Sequence, residues 1–160
     1  MGKIGIVYYS RGGNTEKMAH AVYEGAKSEA GVEVELKKAE ETSLDELTRW
    51  DGIIVGSPTY YGLPAAPVKE LFDRSVKRHG MLEGKVGGAF SSSANVGGGN
   101  ETTIMGIIQM MLIHGMIVKG SSKGDHYGPV SLGEPDERVK KQCKNLGATI
   151  AKMVKKMPIC

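Results

Sequence analysis

A chain of 160 residues with net charge +3 and an isoelectric point of about 8.8 is long enough to bury a sizeable core, and one domain spanning 1–160 is expected. With 40% hydrophobic and 24% charged residues, it reads as a soluble globular protein, and no apolar run approaches the ~18 residues of a membrane span. Cys143 and Cys160 exclude a disulfide framework, and the basic run 138–156 reads as a solvated helix face, not a nucleic-acid patch. The start of the chain has no signal-peptide architecture, so a cytoplasmic location is expected.

In chain order, residues 3–9 predict a strand of β-branched and aromatic residues. Residues 16–30 predict a helix, because Met18, Val22 and Ala26 recur on one face, with Gly31 as its stop. Residues 32–37 alternate apolar and charged and predict a half-wet edge strand. Ser43 and Glu46 form a capping box that opens a short helix to Trp50. A buried strand over 51–56 follows, then a helix over 64–79 with prolines in its first turn. Residues 85–91 predict a strand, 100–115 a Met- and Ile-rich helix, and 116–120 a fifth strand. A last helix runs over 134–157 with Pro135 in its first turn. Five strands alternating with helices imply a three-layer α/β/α sandwich around a five-stranded parallel sheet, and the flavodoxin-like order 2-1-3-4-5 puts the wet second strand at an edge.

In such a sheet ligands bind beyond the carboxyl ends of the strands, at the switch point. Three loops are predicted there. In the first, Ser10, Arg11, Gly12, Gly13, Asn14 and Thr15 join strand one to a helix N-terminus, where unpaired N–H groups and the dipole favour a phosphate. Neither a Walker A loop nor a dinucleotide-binding fingerprint is present; a tight capped turn is the bland alternative. In the second, Pro58, Thr59, Tyr60, Tyr61 and Gly62 offer an aromatic wall for a flat ligand. In the third, Ser91, Ser92, Ser93, Ala94, Asn95, Val96 and Gly97 offer hydroxyls and backbone amides to the edge of a heterocycle. The four histidines are scattered and predict no metal site.

The segment "YYSRGGNTEKMA" is similar to the phosphate loop of flavodoxins, matching at Ser10, Gly13, Asn14 and Thr15, with Gly12 in place of a threonine. "GSPTYYG", "FSSSANVGGGNETT" and "LIHGMIVKG" resemble the NAD(P)H:quinone oxidoreductases once called tryptophan-repressor-binding proteins. The resemblance implies FMN as cofactor and NAD(P)H as electron donor. The phosphate would lie on residues 10–15, with the ribityl chain and ring flanked by 59–61 and 92–97, and His114 would lie near the flavin as the catalytic residue. Relative to that family, the connections 37–51 and 121–126 are short.

Two functions compete. One is an FMN oxidoreductase passing electrons from NAD(P)H to a quinone or similar small-molecule acceptor. The alternative is a one-electron carrier of the flavodoxin type that docks on a redox protein; the net charge of +3 weighs against this, since such carriers are usually acidic. A phospho-acceptor receiver would need acidic residues where strands one and three end in Tyr9-Ser10 and Gly56-Ser57. The Met-rich helix reads as core, or as the interface of a homo-oligomer, dimer or tetramer. His20 reads as a surface residue, and residues 125–128 as a cap on the flavin, a contact to a neighbouring subunit or a plain turn.

Overall fold

The computed structural model describes residues 1–157; the reading made of Cys160 lies outside them. The elements in chain order are β1 (Gly2–Tyr8), α1 (Asn14–Lys27), β2 (Val32–Lys38), α2 (Leu44–Arg49), β3 (Gly52–Tyr60), β4 (Leu63–Pro64), α3 (Ala66–Arg74), β5 (Val86–Ser93), α4 (Asn100–Ile113), β6 (Ile117–Val118), β7 (Val130–Leu132) and α5 (Glu137–Lys156). Short 3-10 turns cover Ala39–Glu41 and Ser75–Arg78. The main sheet is parallel in the order β2-β1-β3-β5-β6, with β7 also alongside β5. Counted as five strands, this is the expected flavodoxin-like order 2-1-3-4-5.

Alternation along β1 splits the core into two layers. Ile4, Ile6 and Tyr8 point into the layer shared with α1 and α5, where Met18, Val22, Ile150 and Val154 are buried. Val7 points the other way, with Ile53 and Val55, into the layer of α2, α3 and α4, around Trp50, Leu71, Ile104 and Met111. Trp50 lies flat over Gly5, where a Cβ would come within 2.1 Å of its ring. The capping box of α2 forms as expected: the Glu46 N–H donates to Ser43 Oγ and the Ser43 N–H to the Glu46 carboxylate.

Four predicted boundaries are corrected. First, β3 does not stop at Gly56 but runs through Pro58 and Thr59 to Tyr60, because Ser57 and Pro58 still lie in register with Ser91 and Ser92. Second, β5 runs to Ser93, so the three serines are strand, not loop. Third, Pro64 belongs to β4 and Pro135 precedes the cap Asp136 of α5, so neither lies in a helix. Fourth, the fifth strand is split: β6 holds only Ile117 and Val118, the chain leaves the sheet over 119–129, and β7 resumes beside the end of β5. The connection read as brief is this excursion.

Candidate functional site

The carboxyl ends of β1, β3 and β5 form one rim, and hydroxyl pairs stitch its loops together. Thr15 Oγ1 and Ser92 Oγ are hydrogen-bonded at 2.9 Å, and Thr59 Oγ1 and Ser91 Oγ at 3.0 Å. Asn100 Nδ2 donates to Ser93 Oγ at 3.1 Å. Each serine at the end of β5 thus holds a different element: the start of α1, the end of β3 and the start of α4. Buried hydroxyls need such partners, which is how a serine triplet remains inside a strand.

The first loop is shaped by Ser10. Its Oγ accepts from the N–H of Gly13 (3.1 Å) and the N–H of Glu16 (3.3 Å). Gly13 caps α1 in the left-handed conformation at φ 95° and supplies no side-chain cap, a backbone state that suits glycine. The N–H groups of Asn14 and Thr15 remain as helix-start donors at the positive end of the dipole. A Cβ built on Gly12 or Gly13 would meet nothing within 4 Å, so the space above the loop is open. Arg11 is exposed beside it. Behind the loop the Tyr8 hydroxyl donates to Glu16 at 2.7 Å; burial and that carboxylate push the Tyr8 phenol far up. Amide donors, open space and an adjacent cation fit the phosphate of FMN.

The second loop is a hairpin tip. Thr59 pairs with Pro64 and Tyr60 with Leu63, leaving Tyr61 and Gly62 as a two-residue turn. Both have positive φ, 51° and 77°, the signature of a type I′ turn. Tyr61 is the one non-glycine in that region among the described residues. A bulky residue is strained there. Tyr61 is fully exposed, and Tyr60 meets Tyr9 edge-on with ring centroids 6.4 Å apart. Thr102 Oγ1 of α4 donates to Gly62 O at 2.7 Å, fastening the hairpin to the third loop. In that loop Ala94, Asn95, Val96 and Gly97 are all exposed. Tyr9 was missed by the sequence reading; Asn100 and Thr102 lie in the segment quoted for the third loop but were given no role there, their only signal being polar residues in the first turn of a Met-rich helix.

His114 is not brought to this rim. It caps the C-terminus of α4, whose N-terminus is at the rim, so the length of a 14-residue helix, about 20 Å, lies between them. It belongs to the amino end of the sheet, where the Gly84 N–H donates to Gly115 O just before β5 begins. His114 is buried, with its Nε2 2.7 Å from Ser75 Oγ and its ring near those of Phe72 and His79. The Ser75 hydroxyl gives its one hydrogen to Phe72 O at 2.6 Å, so Nε2 is the donor and Nδ1 carries none. Nδ1 is buried without a partner among the described residues. Burial, and then the neighbouring His79, lower the His114 pKa below its ordinary value. The expectation that His114 borders the flavin is not met within this chain, because α4 carries it away from the loops. Residues 125–128 lie in the excursion between β6 and β7, where they share a hollow with Glu101 and Ile104 of α4.

A flavodoxin family model matches residues 6–103. A protein of Aquifex aeolicus named flavodoxin is 42% identical over 162 aligned positions, covering 96% of this chain and 88% of its own. A Rhizobium rhizogenes protein named NAD(P)H dehydrogenase (quinone) is 35% identical over 198 positions, covering 98% of this chain and 99% of that one. That alignment is longer than this chain, so the Rhizobium protein carries segments absent here. The crystal structure of a flavodoxin, WrbA-like protein from Agrobacterium tumefaciens superposes with TM-score 0.83 at 29% identity, covering 99% and 100% of the two chains.

Proposed function

Because this chain belongs to the flavodoxin family, we propose that it is an FMN-dependent oxidoreductase that transfers electrons from NAD(P)H to a quinone or a similar small acceptor. The observation that carries this reading is the stitched rim, in which Ser91, Ser92 and Ser93 tie the start of α1, the end of β3 and the start of α4 to one another. FMN, when bound, would supply the two-electron redox chemistry between nicotinamide and acceptor. The chain holds and orients it. Asn14 and Thr15 N–H groups take the phosphate, Ser10 keeps the loop in shape, and Arg11 adds a neutralising charge. Tyr60, Tyr61 and residues 94–97 border the flat ring system. Their exposure leaves room for a donor and then an acceptor to approach. The balance is NAD(P)H, a proton and quinone in, and NAD(P)⁺ and hydroquinone out.

A second reading, a one-electron carrier that docks on a redox protein, is favoured by the short connection between β2 and β3, which holds only a 3-10 turn and the six-residue α2. Steady-state oxidation of NADH and NADPH by the FMN-loaded protein, with benzoquinone as acceptor, separates the two. Turnover that needs both flavin and quinone is expected. No turnover, in protein that still accepts single electrons from a reductase, replaces the enzyme with the carrier.

The reading includes a homodimer formed through Met105, Leu112 and Ile113, which α4 leaves exposed. It also includes a cytoplasmic setting, in keeping with a free, buried Cys143. No helix among the described residues is long and apolar enough to cross a membrane.

A further inference from the structure

We propose that the cavity between the 119–129 excursion and α5 is a binding site for a small organic phosphate, separate from the flavin rim. None of the rim residues named above lines this cavity.

Its origin is the split fifth strand. The outer edge of β5 is covered at its start by β6, opposite Val86 and Gly87, and at its end by β7, opposite Ser91, Ser92 and Ser93. Between them, Gly88 and Ala89 form the floor of a cavity of about 340 Å³, within the range of small-molecule sites. Added peptide strands are excluded as occupants, because strands close the gap at both ends and only a few residues of edge are free.

The cavity walls are held in place. The Asp125 N–H donates to Gln142 Oε1 of α5 at 2.8 Å, and the Ser121 N–H to His126 O at 2.9 Å. Gly128 lies so close to β5 that a Cβ would stand 2.0 Å from Ala89 O. The excursion is therefore pinned at its return to the sheet and to α5, and the space beneath it is built in.

The charge of the lining selects the ligand. Lys119, Lys123 and Lys152 line the cavity, and Asp125 is its one carboxylate among the described residues. That carboxylate is already engaged, by Arg138 Nη1 at 3.0 Å and the Val130 N–H at 2.9 Å. Lys152 also has Glu29 at 3.3 Å, which leaves Lys119 and Lys123 as the main attraction for an anion. Compact ammonium charges suit a phosphate dianion. On the α5 side, Asn145 and Thr149 add an amide and a hydroxyl over Leu146, partners for the hydroxyls of a sugar-like body and more than a bare ion would use.

The test uses protein loaded with one equivalent of FMN and freed of excess. Ribose 5-phosphate, ribose and inorganic phosphate are titrated separately, followed by backbone amide NMR and calorimetry. Ribose 5-phosphate is expected to saturate and to shift amides in 119–128 and 142–152 while leaving 10–15 unmoved. Ribose and inorganic phosphate are each expected to bind at least tenfold more weakly. The double variant Lys119→Gln/Lys123→Gln is expected to lose tenfold or more in affinity for ribose 5-phosphate, with flavin absorbance and melting temperature unchanged. The proposal is overturned by the absence of saturable binding, by shifts confined to 10–15, by inorganic phosphate or ribose binding as tightly as the sugar phosphate, or by unchanged affinity in the double variant.

Discussion

Thr15 and His114 show how a residue's meaning depends on its partners. Thr15 is 1% exposed and its hydroxyl is already paired with Ser92, so it can act on a phosphate directly or by tying α1 to β5. Losing a hydrogen bond to a charged group costs ~1.5–3 kcal/mol, roughly ten- to a hundredfold in affinity. Thr15→Ala is expected to weaken FMN binding by that factor and Thr15→Ser to keep most of it, as read by fluorescence titration; an unchanged Kd in the alanine variant would show that the hydroxyl only joins the two elements. His114 has the opposite history. The resemblance placed it by the flavin, but its hydrogen bond to Ser75 and its unpartnered Nδ1 make it a buried neutral base. Its folded pKa lies below the ordinary 6.5. The unfolded chain therefore binds a proton that the native chain refuses, so stability is full above about 6.5 and falls as the pH drops toward the lowered folded value. Urea midpoints measured from pH 7.5 to 5 are expected to fall in the wild type and to fall less steeply in His114→Gln, whose overall stability is also lower. Parallel slopes would sink this account.

At the scale of elements, the sharpest constraint is the crossing of α1 and α5. A Cβ on Gly147 would stand 2.0 Å from Val22 O, and one on Gly25 would stand 2.0 Å from Lys144 O. The two glycines let the helix backbones touch, with Cys143 and Ile150 buried on either side of Gly147. Gly147→Ala gains about 1 kcal/mol of helix propensity, but overpacking typically costs ~1–3 kcal/mol. A net loss is expected, with ~2–4 °C of melting temperature per kcal/mol in a chain of this size. A melting point raised by the substitution would mean that the helices slide apart at no cost. Burial alone would raise the Glu46 carboxyl at the start of α2, but Lys37 and the Ser43 N–H and hydroxyl reverse this and hold it at about 2. Capping of α2 thus persists through the range in which His114 acts. The helix was legible locally because Ser43 and Glu46 carry their own geometry. The end of β5 was not: three serines and an alanine look like a loop until Thr15, Thr59 and Asn100 arrive from elsewhere to satisfy them.

For the whole molecule, the open question with a direct test is assembly. Two copies joined through α4 would cover Leu112 and Ile113, apolar side chains that a monomer leaves to water. Sedimentation is expected to give twice the 17.1 kDa chain mass, and Leu112→Asp with Ile113→Asp to give a monomer that keeps its flavin. A wild-type monomer at high concentration would remove the dimer and strengthen the carrier reading. The sequence by itself determined the alternation of strands and helices, the wet edge strand β2, the layered sheet and the glycine-rich turn from Ser10 into the N-terminus of α1, because these rest on periodicity, caps and glycines acting over a few neighbouring residues. Tertiary structure alone decided that β3 and β5 run on into the presumed loops, that the fifth strand parts around residues 119–129, and that His114 lies at the far end of α4. Each of these depends on which distant group supplies a hydrogen bond or a packing surface, and such pairings arise only when the chain closes on itself.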